Sequence, residues 1–144
     1  MMVKQYIIVN KSLNMSHGKM AAQVAHASSA YFTSLLKKGV TGYNEEKKVY
    51  TGEFSIPETI WTHWINGIFT KVCLEVKSVE KLGKVCERLE NEGFIEGEDY
   101  FKIVDVGSTE FNGIPHWTCI GIRPIDSEDD RIKRVLKGLQ VYKG

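Results

Sequence analysis

Residues 6–39, YIIVNKSLNMSHGKMAAQVAHASSAYFTSLLKKG, join a short apolar run to a long segment of helical periodicity. The apolar run at 6–9 is rich in β-branched residues, which predicts a buried strand. Ser16 can cap the helix that follows, and Gly39 can close it. Apolar side chains recur at helical spacing within it and predict the face that packs on the core: Met20, Val24, Ala27, Tyr31 and Leu35.

Strands and helices alternate along the rest of the chain. Strands are predicted at 70–76, 100–104 and 117–122, and helices at 79–91 and at about 128–139, the last from a capping-box pattern at 127–130. Residues 40–60 have no clear period and are predicted to form an inserted loop, with a short helix starting near Pro57. This order predicts one α/β domain over residues 1–144.

The composition is that of an ordinary globular domain, since 42% of the 144 residues are hydrophobic and 26% are charged. No run approaches the ~20 apolar residues of a membrane span, and no secretory signal is visible, so we expect a cytoplasmic protein. The cysteines, Cys73, Cys86 and Cys119, form no Cys-x-x-Cys pair and are expected to be reduced core thiols. The spacing of the cysteines and histidines predicts no metal site.

The net charge of +1 conceals an uneven distribution. Residues 1–44 carry five lysines and no acid, residues 131–144 carry five basic residues and no acid, and residues 45–130 sum to −9. Basic ends are compatible with a polyanionic partner on one side of the molecule. Solvation of ordinary helix faces is the alternative explanation.

One polar row on the first predicted helix is a candidate site. Lys19, Gln23 and His26 are spaced i, i+4, i+7 and therefore fall within about 60° of one another around the helix. Gly18 and Lys19 also stand at the helix start, where free N–H groups and the helix dipole favour anions. A solvated helix flank explains the same spacing equally simply.

The second candidate site lies between the third and fourth predicted strands. Asp105 falls at the end of a strand, where open α/β sheets bind their ligands, and Gly107 allows a sharp turn. Thr109 follows this turn, and Thr118 returns beside it at the start of the next strand. A carboxylate with two hydroxyls can orient a water molecule for hydrolysis. The alternative is a capped turn in which Asp105 bonds its own backbone.

The segment 15–27, MSHGKMAAQVAHA, following an apolar strand, resembles the N-terminal motif of the type-II peptidyl-tRNA hydrolases. The stretches 105–109, DVGST, and 118–124, TCIGIRP, resemble that family's second motif, in the same order along the chain. The resemblance covers nearly the whole chain except about 40–60. One departure is 10–12, Asn-Lys-Ser, where the family commonly has Arg-x-Asp.

This resemblance implies hydrolysis of the ester that joins a peptide to the 3′ ribose of tRNA. It implies a mixed four-stranded sheet with helices on both faces, a homodimer, and no metal or other cofactor. The family's catalytic residues correspond to Lys19, Asp105, Thr109 and Thr118. Gly18, Gln23, His26 and Gly107 are then expected to bind substrate or support the site.

Two other functions fit the same residues. The fold could serve as a non-catalytic RNA- or protein-binding module, or as a hydrolase of a different acyl ester or amide, because fold alone does not determine function. An assay for loss of the ester from an N-blocked aminoacyl-tRNA separates peptidyl-tRNA hydrolysis from both alternatives.

Overall fold

The first strand lies at the centre of the sheet in a computed structural model that describes residues 1–107 and 111–144. The elements follow in the order β1 (Val3–Asn10), a 3-10 turn (Lys11–Leu13), α1 (His17–Gly39), β2 (Val40–Asn44), β3 (Val49–Gly52), α2 (Glu58–Ile60) continued by a π-helical turn (Trp61–Ile65), β4 (Lys71–Val76), α3 (Val79–Asn91), β5 (Tyr100–Asp105), β6 (His116–Ile122), β7 (Ile125–Asp126), α4 (Asp130–Leu136) and β8 (Gln140–Val141).

The main sheet is mixed and has the order β5-β6-β1-β4-β8, with β7 also paired to β1. β1 runs parallel to β4 and antiparallel to β6. The predicted α/β class is therefore confirmed, but the predicted count of four strands is wrong because the sheet has six. The two additional strands, β7 and β8, are two residues long each, too short to show an alternating pattern in the sequence.

Helices cover both faces of this sheet, as expected. In β1, Tyr6 and Ile8 pack with residues of α3 and α4, whereas Ile7 and Val9 pack against α1. All four are buried, because successive side chains of a central strand point to opposite faces. The first helix, with α2 and its π-helical turn packed beside it through Ile60 and Trp64, therefore forms one layer, and α3 with α4 forms the other.

The first helix lies unusually close to β6. A Cβ added at Gly121 would lie 2.3 Å from the carbonyl oxygen of Ala27, so only glycine allows this approach. Ala27 is itself 1% exposed, as its place in the predicted apolar stripe requires. This contact fixes α1 against the sheet and carries its polar row toward the end of β5.

Most predicted boundaries are confirmed. Ser16 caps α1 and Ser78 caps α3, each accepting a hydrogen bond from the N–H three residues later. The last helix differs: its cap is Asp129 rather than Ser127, and it ends at Leu136. The Asp129 carboxylate accepts from the backbone N–H groups of Arg131 and Ile132, so the helix begins two residues later than predicted.

The predicted loop at 40–60 is partly ordered structure. Residues 40–52 form a two-stranded hairpin, in which the rings of Tyr43 and Tyr50 lie 4.7 Å apart, and a helix follows Pro57 as expected. The hairpin was not predicted because both of its strands are exposed and lack apolar alternation.

The three cysteines are unpaired thiols; Cys86 and Cys119 are buried and Cys73 is partly buried. Burial raises the pKa of Cys86 to about 11 and that of Cys119 to about 12, so both remain protonated at neutral pH. Within the described ranges, the helices are too short or too polar to cross a membrane.

Candidate active site

The candidate site lies at the carboxyl end of β5. This strand runs parallel to β1, because both are antiparallel to β6. Asp105 is its last residue, and α1 begins near the same end after the chain leaves β1. Two segments that are far apart in sequence therefore meet at one end of the sheet, the usual ligand position in open α/β folds.

The two predicted catalytic residues of opposite charge form an ion pair. The Lys19 Nζ donates to Asp105 Oδ1 at 2.7 Å, and the side chains are 10% and 8% exposed. A charged pair removed from water to this extent is strongly coupled, and loss of either partner leaves the other buried without compensation.

Gln23 connects this ion pair to β6. Its amide Nε2 lies 3.5 Å from Asp105 Oδ1, and its Oε1 accepts from the Thr118 hydroxyl at 2.7 Å. The Thr118 hydroxyl also lies 3.2 Å from the Ile103 carbonyl oxygen. Thr118 is fully buried, so its hydroxyl orients Gln23 and does not reach solvent.

The turn after β5 binds the second carboxylate oxygen of Asp105. The backbone N–H of Gly107 donates to Asp105 Oδ2 at 3.0 Å, and its carbonyl accepts from Gly113 at 2.7 Å. Gly107 has φ +80°, and a Cβ there would lie 2.4 Å from the Ile114 carbonyl oxygen. Only glycine fits, as the sequence predicted for a sharp turn.

These contacts keep Asp105 ionised. The hydrogen bond from Lys19 is the largest cause that lowers the pKa of Asp105 below its ordinary 3.8, and the Gly107 N–H and His116 act in the same direction against the effect of burial. The site therefore presents an ionised carboxylate paired with the Lys19 side chain.

The structure brings together four of the eight predicted site residues, namely Lys19, Gln23, Asp105 and Thr118, with Gly107 as a fifth through its backbone. His26 is exposed and lines a separate cleft along β5. Gly18 is exposed at the start of α1. Thr109 lies outside the described residues.

Two aromatic residues at the site were not predicted. The Lys19 Nζ lies 5.8 Å from the centroid of the Phe111 ring, which contacts the His116 ring edge-on at 4.5 Å. His116 pairs with Asp105 across the β5–β6 ladder. The β5–β6 register places His116 opposite Asp105 and would have identified it as a site residue. The length of the connection between the two strands does not fix that register.

The paired charges of the site suit hydrolysis of an ester. Among the described residues, no three histidine, cysteine or acidic side chains gather as metal ligands. A carboxylate can accept the proton of an attacking water molecule, and an ammonium group can stabilise the negative charge that develops on the ester carbonyl oxygen.

Comparisons with known proteins identify the family. The family model for peptidyl-tRNA hydrolase PTH2 matches residues 3–142. A peptidyl-tRNA hydrolase from Methanopyrus kandleri is 32% identical over 132 residues, covering 91% of this chain and 93% of the relative. One from Haloquadratum walsbyi is 29% identical over 140 residues, covering 97% of this chain and 100% of the relative.

A solved structure of a protein of unknown function from Agrobacterium tumefaciens superposes with a TM-score of 0.55 at 10% identity, covering 99% of both chains. That likeness concerns the fold alone. The family match spans both sequence motifs, the helix that carries Lys19 and the strand that ends at Asp105. This chain belongs to the peptidyl-tRNA hydrolase PTH2 family.

Proposed function

We propose that this protein hydrolyses the ester bond between a peptide and the 3′ ribose of tRNA, with the chemistry at Lys19 and Asp105. The observation that carries the proposal is their buried ion pair at 2.7 Å, held at the end of β5. The family to which the chain belongs supports the same reaction.

The reaction follows from the charges of these two groups. A water molecule bound by the Asp105 carboxylate attacks the ester carbonyl carbon and gives its proton to that carboxylate. The Lys19 ammonium group stabilises the oxyanion of the tetrahedral intermediate. The bond to the ribose oxygen then breaks, and this oxygen takes up the proton from Asp105 to give the free tRNA 3′ hydroxyl. The peptide leaves as a carboxylic acid that releases its proton to solvent and becomes the carboxylate.

The ion pair also regulates the strength of the base. While Lys19 contacts Asp105, the low pKa of the carboxyl group makes it a weak proton acceptor. When Lys19 turns toward the developing oxyanion, this stabilisation weakens and the pKa of Asp105 rises. The carboxylate thus becomes a stronger base at the step that needs one.

Gln23 and Thr118 act as positioning residues. Thr118 is too deeply buried to touch water, but its hydrogen bond fixes the Gln23 amide beside Asp105. We retain a water-orienting role for Thr109, which follows from the resemblance alone.

The partner is peptidyl-tRNA, bound in the cytoplasm by a homodimer. The lysines of residues 1–44 other than Lys19 and the basic residues of 131–144 supply attraction to phosphates. Binding of deacylated tRNA at two ionic strengths tests this, since affinity should fall steeply with salt. Sedimentation equilibrium tests the dimer, and a monomer at micromolar concentration would contradict it.

Incubation with N-acetyl-aminoacyl-tRNA tests the reaction itself. We expect release of the N-blocked amino acid and intact tRNA in multiple turnovers. Binding of tRNA without ester loss would favour the non-catalytic alternative. Hydrolysis of simple acyl esters with peptidyl-tRNA left intact would favour a different hydrolase.

A further inference from the structure

The outer side of β5 presents backbone groups that the proposed chemistry does not use. Among the described residues, β5 pairs with β6 on one side and with no strand on the other. The Ile103 carbonyl faces β6, where it lies 3.2 Å from the Thr118 hydroxyl. Because backbone groups of successive strand residues point to opposite sides, those of Lys102 and Val104 point to the open side.

The same alternation of backbone direction is visible two residues before Lys102. The Tyr100 carbonyl belongs to the open side, and it accepts from the Gly97 N–H at 2.8 Å. Gly97 therefore closes the open edge at its far end. Between this point and Asp105, the backbone groups of Lys102 and Val104 are directed to the position that a neighbouring strand would occupy.

A cleft of about 340 Å³ follows this edge, between β5 and the middle of α1. Phe101 and Ile103 line it from β5, and Ala30 and Ser34 line it from α1. Ala30, Thr33 and Ser34 are small and leave room for an extended backbone beside the strand, whereas His26, Lys37 and Lys38 line the rest of the α1 side. The cleft ends at Gly97, whose carbonyl accepts from the Ser34 hydroxyl at 3.1 Å.

We propose that the peptide part of the substrate binds along this edge as an additional β-strand. The inference rests on the proposed function and names where its substrate lies. Strand addition draws its affinity from main-chain hydrogen bonds, which every peptide offers whatever its sequence. Such binding suits substrates that share an ester to tRNA and differ in their peptides.

The position of the ester sets the direction of the peptide. The reactive carbonyl is at the carboxyl terminus of the peptide, and Asp105 is at the carboxyl end of β5. The peptide therefore runs parallel to β5. The distance from Lys102 to Asp105 is three residue steps, about 10 Å at ~3.3 Å per residue, so three or four substrate residues pair before Gly97 closes the edge.

An N-methyl scan of the substrate tests this directly. Tetrapeptidyl-tRNAs are prepared with one backbone amide methylated at a time, and kcat/KM is compared with that of the parent substrate. Since only alternate N–H groups of an added strand face β5, methylation should cost about 5- to 10-fold at every second residue and little between them. Exchange of alanine for leucine or lysine at the same positions should change kcat/KM by less than about 3-fold.

The enzyme offers a matched pair of variants. Lys102→Pro removes an N–H group from the open edge, where proline is tolerated, and Lys102→Ala keeps it. The readout is the ratio of kcat/KM for tetrapeptidyl-tRNA to that for N-acetyl-aminoacyl-tRNA, because general damage to catalysis cancels in it. We expect the ratio to fall about 5-fold or more in Lys102→Pro and to keep its parental value in Lys102→Ala.

Two results would overturn the inference while leaving the proposed function intact: uniform effects along the N-methyl scan, or an unchanged ratio in a folded Lys102→Pro protein. Lack of hydrolysis of every peptidyl-tRNA by the parent enzyme is a different outcome. It would overturn the proposed function and this inference together.

Discussion

The Nζ of Lys19 lies 2.7 Å from Oδ1 of Asp105, although 86 residues separate them in the sequence. The close approach of Ala27 to Gly121 holds α1 against β6, and the β5–β6 ladder carries Asp105 to the same end of the sheet. The packing of the fold therefore creates the ion pair on which the proposed chemistry depends.

Lys19→Ala should lower kcat and leave KM nearly unchanged. Lys19 contacts Asp105 at the reaction centre, so its charge meets the oxyanion and not a phosphate that is bound throughout the cycle. Loss of one such group costs about 10²- to 10³-fold in kcat. Steady-state kinetics on N-acetyl-aminoacyl-tRNA provides the measurement, and a higher KM with parental kcat would instead assign Lys19 to phosphate binding.

Thr118→Val should reduce activity through Gln23. The substitution keeps the shape of the side chain but leaves the buried Gln23 Oε1 without its 2.7 Å donor, which costs about 1–3 kcal/mol of stability. We expect kcat to fall about 10-fold, with KM little changed, because the freed amide no longer holds its place beside Asp105. Thr118→Ser restores the hydroxyl and should recover most of the rate; equal losses in both variants would refute a positioning role.

Much of this site followed from the sequence, and the failures have physical causes. Lys19 and Gln23 were predicted to share one helix face because helical spacing is a local property. The pairing of Gln23 with Thr118 was not predicted, since it depends on how closely α1 lies on the sheet. His26 belongs to the same row but lies outside the ion-pair cluster, because α1 runs back from Asp105 along β5 and His26, seven residues after Lys19, lines the cleft beside that strand.

The secondary structure was likewise predicted only in part. The helices at 17–39 and 79–91 were predicted from periodicity and caps, and the structure confirms them. The hairpin at 40–52 and the short strands β7 and β8 were missed, because exposed or two-residue strands carry no hydrophobic alternation.

The stability conferred by Asp105 should persist to low pH. Lys19 lowers the pKa of this carboxyl group in the folded protein, so its contribution is complete above the ordinary value of 3.8 and is lost as the pH falls through the lower folded value. The difference in Tm between the parent and Asp105→Asn should therefore be constant from pH 7 to about pH 4 and narrow below it. A difference in Tm that disappears between pH 7 and pH 5 would show that the pKa of Asp105 is raised in the folded protein.

The hairpin at 40–52 should exchange its amide hydrogens faster than the central strand. Within the described part of the chain, its two strands are exposed and pair only with each other, and an isolated hairpin is marginally stable in water. We expect exchange at least about 100-fold faster there than at Ile7 and Val9, which are fully buried. Comparable protection by hydrogen-exchange mass spectrometry would contradict this expectation.

The turnover of Asp105→Asn on N-acetyl-aminoacyl-tRNA tests the central claim most directly. The amide keeps the shape of the side chain but cannot accept a proton from water, so kcat should fall about 10²- to 10⁴-fold. Glu92→Gln is the matched control, because it removes a carboxylate that pairs with Arg134 at 2.9 Å on the α3–α4 side, and it should retain parental turnover. A folded Asp105→Asn protein with the turnover of the parent would contradict the proposed mechanism.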